Sequence, residues 1–376
     1  GVAQVPVCSQ RAAHRTARMV LLTGLPIAFV PGILSVTRNW LPTIPQGCRL
    51  VPVDYRPMAV GQEAVAGDFD DFVGVVALRL LAVVLQLGVE GPWAMGAHSA
   101  GGPPLYQCLD FLAQLQAPGG AEAILAAAAE APTLPPEDLA ALRAAIGALG
   151  AGAPRLPEAV LSFEGSLLAV DVLQWAQDWA ETSEPPAEDW LREVLEDPNA
   201  NWTWDMARKC SGSLVARCAS SPPRHLASIS RWLRLPERPN FIYVAGEWSE
   251  KRNKEVFPAL RALAAAASAE EEAGAGEPSD ATSAPLRLRI EEVPGSGHNL
   301  HREAPDAVRA IIASAVGAES APSADTNFLA SRAHLVGVLL LLLVALLVRN
   351  PLSRVVKTFW TPPQSIRRRM WRPGPP

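Results

Sequence analysis

The residues best suited to chemistry lie at 96 to 102, Gly96-Ala97-His98-Ser99-Ala100-Gly101-Gly102, between the apolar run Trp93-Ala94-Met95 and a stretch of helical character. Small residues two positions either side of a serine are what a sharp strand-to-helix turn requires, because larger side chains would collide with the neighbouring backbone. The usual pattern is G-x-S-x-G. Here Ala97 replaces the first glycine and Gly101 keeps the second. Such a turn holds the serine oxygen clear of the sheet at a helix N-terminus, whose backbone N–H groups can receive a developing oxyanion. The expected chemistry is attack by Ser99 on an acyl carbon, with the N–H of Ala100 as one oxyanion donor. A second donor is expected from the loop that closes the first strand, Thr23-Gly24-Leu25-Pro26. Proline has no N–H to give, which leaves Leu25.

A serine nucleophile needs a general base that reaches it from the same sheet edge. Gly295-Ser296-Gly297-His298-Asn299-Leu300 follows an apolar segment ending at Val293, and His298 comes 199 residues after Ser99. In a parallel sheet all strand C-termini open onto one edge, so a histidine in a glycine loop after the last strand can approach the serine. His301 is the nearby rival, but Arg302-Glu303-Ala304-Pro305 starts a helix that would carry it. The lone Gly-His loop therefore favours His298.

These groups need a scaffold, and the pattern along the chain supplies one. Met19 to Gly24 reads as a buried strand running into a glycine turn, although the basic stretch before it also resembles the start of a signal peptide. Further strands are expected over 49–55, 92–97, 159–163, 240–245 and 286–293, with helices over 70–87 and 104–116. Apolar strands alternating with amphipathic helices predict an α/β fold, a mostly parallel sheet covered on both faces. Residues 117–157 are an Ala-rich insertion, best read as a surface helix pair, of which 136–149 is the better half. Six tryptophans between 166 and 235 mark a helical segment, some of them expected to line an apolar pocket (Trp175, Trp179, Trp190, Trp202, Trp204 and Trp232). The Ala/Glu/Gly/Ser-rich stretch over 264–283 reads as disordered.

Taken together, the serine turn, the Gly297-His298 loop with Pro305 behind it, Val53-Asp54-Tyr55-Arg56-Pro57 and Phe163-Glu164-Gly165 resemble the α/β-hydrolase superfamily over residues 19–316. The resemblance implies an acyl-transfer or ester-hydrolysis site with a helical cap over 166–235. The expected activity is that of a serine hydrolase, cleaving a carboxylic ester or a lipid-like acyl substrate through an acyl-enzyme. The alternatives are acyl transfer, C–C or halide cleavage on the same fold, or a non-catalytic membrane-tethered binding protein. It implies no cofactor and no metal. It also implies an acid that fixes the histidine tautomer, placed in most members three residues past the glycine that ends a later strand. That place, counted from Gly246, holds Ser249. Glu250, one residue late, and Glu247, one residue past the glycine, could serve there; the alternative is Glu164, after the preceding strand, which is favoured over Glu250. Thr23 stands where many members have a histidine, and the first two strands of the usual sheet are not recognisable.

The 376-residue chain is 49% hydrophobic and 19% charged, an ordinary balance for one large domain or two modest ones. Its five cysteines form no C-x-x-C pair and read as free thiols in a reducing compartment. The net charge of −5 is uneven. From Arg349 onward there are seven basic residues and no acidic one, which leaves −12 on the remainder and argues against nucleic acid as a partner. Beyond a 1–18 N-terminal segment, the hydrolase domain and a 317–332 linker, residues 333–348 are apolar with no polar face, followed by the basic tail 349–376. A C-terminal apolar helix anchoring the protein to a membrane is expected, the basic and aromatic residues beyond it forming the interfacial fringe.

Overall fold

A computed structural model describes residues 24–35, 37–53, 72–131, 134–150, 152–167, 176–197, 202–220, 224–235, 240–249, 255–266 and 288–318. Six strands, β1 (Leu25–Val30), β2 (Cys48–Pro52), β3 (Ala94–His98), β4 (Ala159–Phe163), β5 (Asn240–Gly246) and β6 (Leu288–Val293), form one sheet in the order β2-β1-β3-β4-β5-β6. Every pairing is parallel. Each residue of β3 and β4 is buried, the pattern of central strands covered on both faces. The chain winds from β1 outward to β2, then returns beside β1 at β3 and proceeds the other way. The topological switch point, where α/β sheets bind ligands, therefore lies at the C-terminal ends of β1 and β3.

The first strand lies six residues later than Met19 to Gly24. Two apolar runs adjoin here, and strand pairing selects the second. Pro26 is tolerated because the β3 pairing begins only at Ile27, opposite Ala94, so at Pro26 the strand is bonded to β2 alone. Met19 to Thr23 lie outside the described residues, as do 1–18, Asp54–Pro57, Trp175, Glu250, most of 264–283, and the linker, apolar run and basic tail beyond 318.

Helices cover both faces. On one, α1 (Phe72–Glu90), α2 (Gly102–Gln114), α3 (Gly120–Glu130) and α4 (Pro136–Leu149) enclose a core that includes Leu81, Val84, Leu105, Leu109, Leu142 and Ile146. The insertion is therefore more than a surface pair, since α4 packs Leu142 and Ile146 into that core. It is also tied to α1 by a buried ion pair, Arg79 Nε to Asp138 Oδ2 at 2.6 Å. Among the described residues α1 is the one helix long and apolar enough to cross a membrane, yet most of it is packed inside the fold. Cys48, Cys108 and Cys210 carry no disulfide.

Between β4 and β5 lie a helical segment over 176–181 and helices α5 (Asp189–Glu196), α6 (Trp204–Ser220) and α7 (Arg224–Leu233). Trp179 packs on Trp204 and Trp190 at centroid distances of 5.6 and 6.4 Å, and Trp232 is fully buried. Trp204 and Trp232 belong to the main buried core and Trp179 packs against it, whereas Trp190 is exposed. On the opposite face, α8 (Leu300–Glu303) and α9 (Pro305–Val316) place Leu300, Val308 and Ile312 against Phe29, Leu161, Phe163 and Val244.

Candidate active site

Ser99 follows directly on β3, starts a single 3-10 turn (Ser99–Gly101) and leads into α2. Its φ of +53° is a left-handed conformation that L residues avoid. The other non-glycine residues with positive φ among those described are Leu34 and Glu164. They follow β1 and β4, so backbone strain gathers at the one edge where β1, β3 and β4 end. The turn closes tightly. A Cβ on Gly101 would stand 2.5 Å from the Val30 carbonyl oxygen and 2.6 Å from that of Pro31, a contact no larger residue could accept. A Cβ on Gly32 would lie 3.1 Å from Ser99 Cβ, which places the loop leaving β1 beside the serine. The Ser166 N–H donates to the Ser99 carbonyl at 3.0 Å and holds the turn from the β4 side.

His298 sits in the loop after β6, its Nε2 2.9 Å from Ser99 Oγ. Several bonds hold that loop. Gly295 N–H donates to Glu247 Oε2 at 2.7 Å, Ser296 Oγ to the Val293 carbonyl at 2.8 Å, and Gly297 N–H to Glu303. His98, the residue before the serine, donates from Nε2 to the His298 carbonyl at 3.0 Å, and since a carbonyl only accepts, this bond sets the His98 tautomer. His298 Nδ1 is 3.5 Å from Glu164 Oε2, longer than a well-formed hydrogen bond. Its side chain is 40% exposed, whereas Glu164 is wholly buried. Glu164 Oε1 accepts the Gly246 N–H at 2.7 Å and Oε2 accepts the Ser249 hydroxyl at 3.0 Å.

The fold thus brings Ser99, His298 and Glu164 into one line and leaves Ala100 buried beside the serine. Glu250 lies outside the described residues. Leu25 is a correction. It begins β1 at the far edge of the sheet, and its N–H donates to the Gly47 carbonyl at 2.7 Å. The strand shift explains the difference: the second apolar run, Leu25–Val30, forms β1, and the loop closing it is Pro31-Gly32-Ile33-Leu34. His301 is buried and stacked on Trp40 at 4.6 Å, and neither ring nitrogen has a hydrogen-bond partner. Burial first, then the charge of Arg302 and the proximity of His298, lower its pKa to about 3. It is neutral at any ordinary pH and packed away from solvent, which suits the aromatic cluster with Trp40 and His98. The sequence reading missed His98, which the x position before the serine left unremarked, and Trp40. Among the described residues no group of three or more His, Cys, Asp or Glu side chains is placed to hold a metal.

The profile of a family described as "Alpha/beta hydrolase family" matches residues 27–311. No curated protein matches the chain. Among solved structures, MenH from S. aureus is 10% identical with a TM-score of 0.44, covering 79% of this chain and 95% of its own. A membrane phospholipase A, described as a bacterial virulence factor, is 10% identical with a TM-score of 0.40 over 82% and 91%. The RedJ thioesterase of Streptomyces coelicolor is 12% identical with a TM-score of 0.38 over 77% and 89%. The family match spans well over half of the chain, which belongs to the alpha/beta hydrolase family.

Proposed function

We propose that this member of the alpha/beta hydrolase family cleaves a carboxylic ester of an apolar or lipid-like acyl group through an acyl-enzyme. The observation that carries the reading is the 2.9 Å contact between Ser99 Oγ and His298 Nε2 at a strained strand-to-helix turn, with the buried Glu164 behind the imidazole. Ser99 Oγ attacks the ester carbonyl carbon while its proton passes to His298 Nε2. Glu164 keeps the Nδ1 hydrogen facing it and stabilises the imidazolium. The oxyanion is received by the N–H of Ala100 and by N–H groups of the Gly32-Ile33 stretch, Pro31 having none. Collapse breaks the acyl–oxygen bond, and the departing alcohol takes the proton from His298. Water then attacks the acyl-serine by the same route, returning the acid and free Ser99. The 3.5 Å separation of His298 and Glu164 is of the looser kind found before a substrate draws a catalytic hydrogen bond tight.

The apolar preference rests on residues 333–348, read as a membrane anchor that would hold the enzyme where apolar esters reside. The decisive experiment is labelling of the full chain with a fluorophosphonate probe and mapping of the modified residue, followed by turnover on a panel of esters of increasing acyl length. Ser99 should carry the label, and turnover should rise with chain length. An unlabelled Ser99 would overturn the mechanism, and a preference for the shortest esters would overturn the substrate class.

A further inference from the structure

We infer that Ser249 is a positioning residue for the general base, acting through Glu164; the inference rests on the catalytic reading given above. The two oxygens of Glu164 are employed differently. Oε1 takes the Gly246 N–H at 2.7 Å, while Oε2, the oxygen that faces His298 Nδ1, takes the Ser249 hydroxyl at 3.0 Å. The carboxylate thus comes from the end of β4, and both donors come from the end of its neighbour β5. A carboxylate with no solvent exposure is pushed toward its neutral form unless donors stabilise its charge. An acid serving a histidine must stay ionised, so these two donors are part of what makes a buried glutamate usable there.

Ser249 is itself held in place. Its N–H donates to the Gly246 carbonyl at 3.0 Å, and the preceding N–H, of Trp248, donates to the Ser296 carbonyl at 3.0 Å. Ser296 lies two residues before His298, so the short turn over 246–249 grips both the carboxylate and the loop carrying the base. Two consequences follow for the chemistry. The hydroxyl fixes the plane of the carboxyl group by pinning the second oxygen, the first being pinned by backbone. It also draws negative charge density from the oxygen that meets the imidazolium. Removing the hydroxyl leaves Oε2 more negative, which favours protonated His298 and raises the pH at which the base becomes available.

The test is the rate of fluorophosphonate labelling of Ser99 across pH, in the full chain, for the wild type, Ser249→Ala, Ser249→Thr and Ser249→Cys. The acid limb of such a profile reports the ionisation of the base in the free enzyme. In Ser249→Ala the midpoint should move up by about half a pH unit, and the plateau rate should fall by roughly three- to tenfold. Ser249→Cys, a weaker donor of similar size, should move the midpoint in the same direction by less. Ser249→Thr, which keeps the hydroxyl, should retain the wild-type midpoint. A packing role alone would lower the plateau and leave the midpoint where it is. Superimposable acid limbs in the alanine, cysteine and wild-type proteins would overturn the inference, as would a threonine variant displaced as far as alanine. Failure of the wild type to label at Ser99 would instead overturn the catalytic reading beneath it.

Discussion

Two residues of the candidate site, Ser99 and Glu164, hold left-handed backbone at φ +53° and +49°, each costing of order 1 kcal/mol or more. The surrounding contacts enforce that geometry, and removing either functional group should be costly for activity rather than for folding. Ser99→Ala and His298→Ala should each lower ester turnover by several orders of magnitude, and the double variant should be little worse, because the pair acts as one unit. Steady-state kinetics on the best ester found will check this; ordinary turnover by Ser99→Ala would rule the mechanism out. Glu164→Gln should cost about 10³- to 10⁴-fold, because an amide no longer fixes the tautomer or stabilises the imidazolium. His301 makes a separate prediction about pH. Its folded pKa of about 3 lies below the ordinary 6.5, so between those values the unfolded chain binds a proton that the folded one does not. The stability contributed by neutral, buried His301 is present above pH 6.5 and is lost as pH falls toward 3. Thermal melting of His301→Phe should therefore decline less between pH 6.5 and 4 than that of the wild type; parallel curves would contradict the assignment.

At the scale of elements, the site depends on how strands and helices end. β1, β3, β4 and β6 each deliver one part of it from their C-termini: the Pro31–Leu34 loop, Ser99, Glu164 and His298. The end of β5 braces the carboxylate. Behind this edge, α1 and α4 are joined by Arg79 and Asp138, both buried and 2.6 Å apart. Asp138 lies in the first turn of α4, where a carboxylate also suits the helix dipole. Breaking such a pair leaves one charge buried without its partner. Asp138→Ala should thus destabilise the fold by about 3–5 kcal/mol, whereas Arg79→Met combined with Asp138→Leu should come much closer to the wild type. Urea denaturation of the wild type, Arg79→Met, Asp138→Leu and the double variant will show whether the two substitutions couple. Additive losses would mean that the ion pair is not what joins the helices.

For the whole molecule, the question is where the enzyme works. Residues 335–348 contain twelve leucines and valines, each stabilised by roughly 1.5–3 kcal/mol on leaving water. In lipid that sum exceeds any cost of fixing the tail. A truncation after Ala330 keeps every proposed catalytic residue and should give a folded, soluble protein that hydrolyses short water-soluble esters while losing activity on membrane-resident ones. Carbonate extraction of membranes should leave the full chain in the pellet. Its recovery in the soluble fraction would make the run a packed helix instead, and truncation should then unfold the domain. α1 gives a point of comparison, because it is as apolar as a spanning helix and is nonetheless buried against α2 and α4.

Much of this was legible in local pattern. The small residues around Ser99, the buried runs of β3 and β4, the span of α4 and the glycine loop of His298 all follow from turn sterics and periodicity, which act over a few residues and so are written in a few residues. What local pattern left open was settled by pairing and approach. Two adjacent apolar runs could each have been the first strand, and only the ladder with β2 and β3 selects Leu25–Val30, which moves the loop beside Ser99 from Leu25 to Pro31–Leu34. The bond from His98 to the His298 carbonyl spans 200 residues and leaves no periodic trace in the sequence. Nor does the sequence state that a serine after β5 would donate to a glutamate after β4. Both strand ends open onto one edge, and the distances across that edge exist only once the sheet has formed.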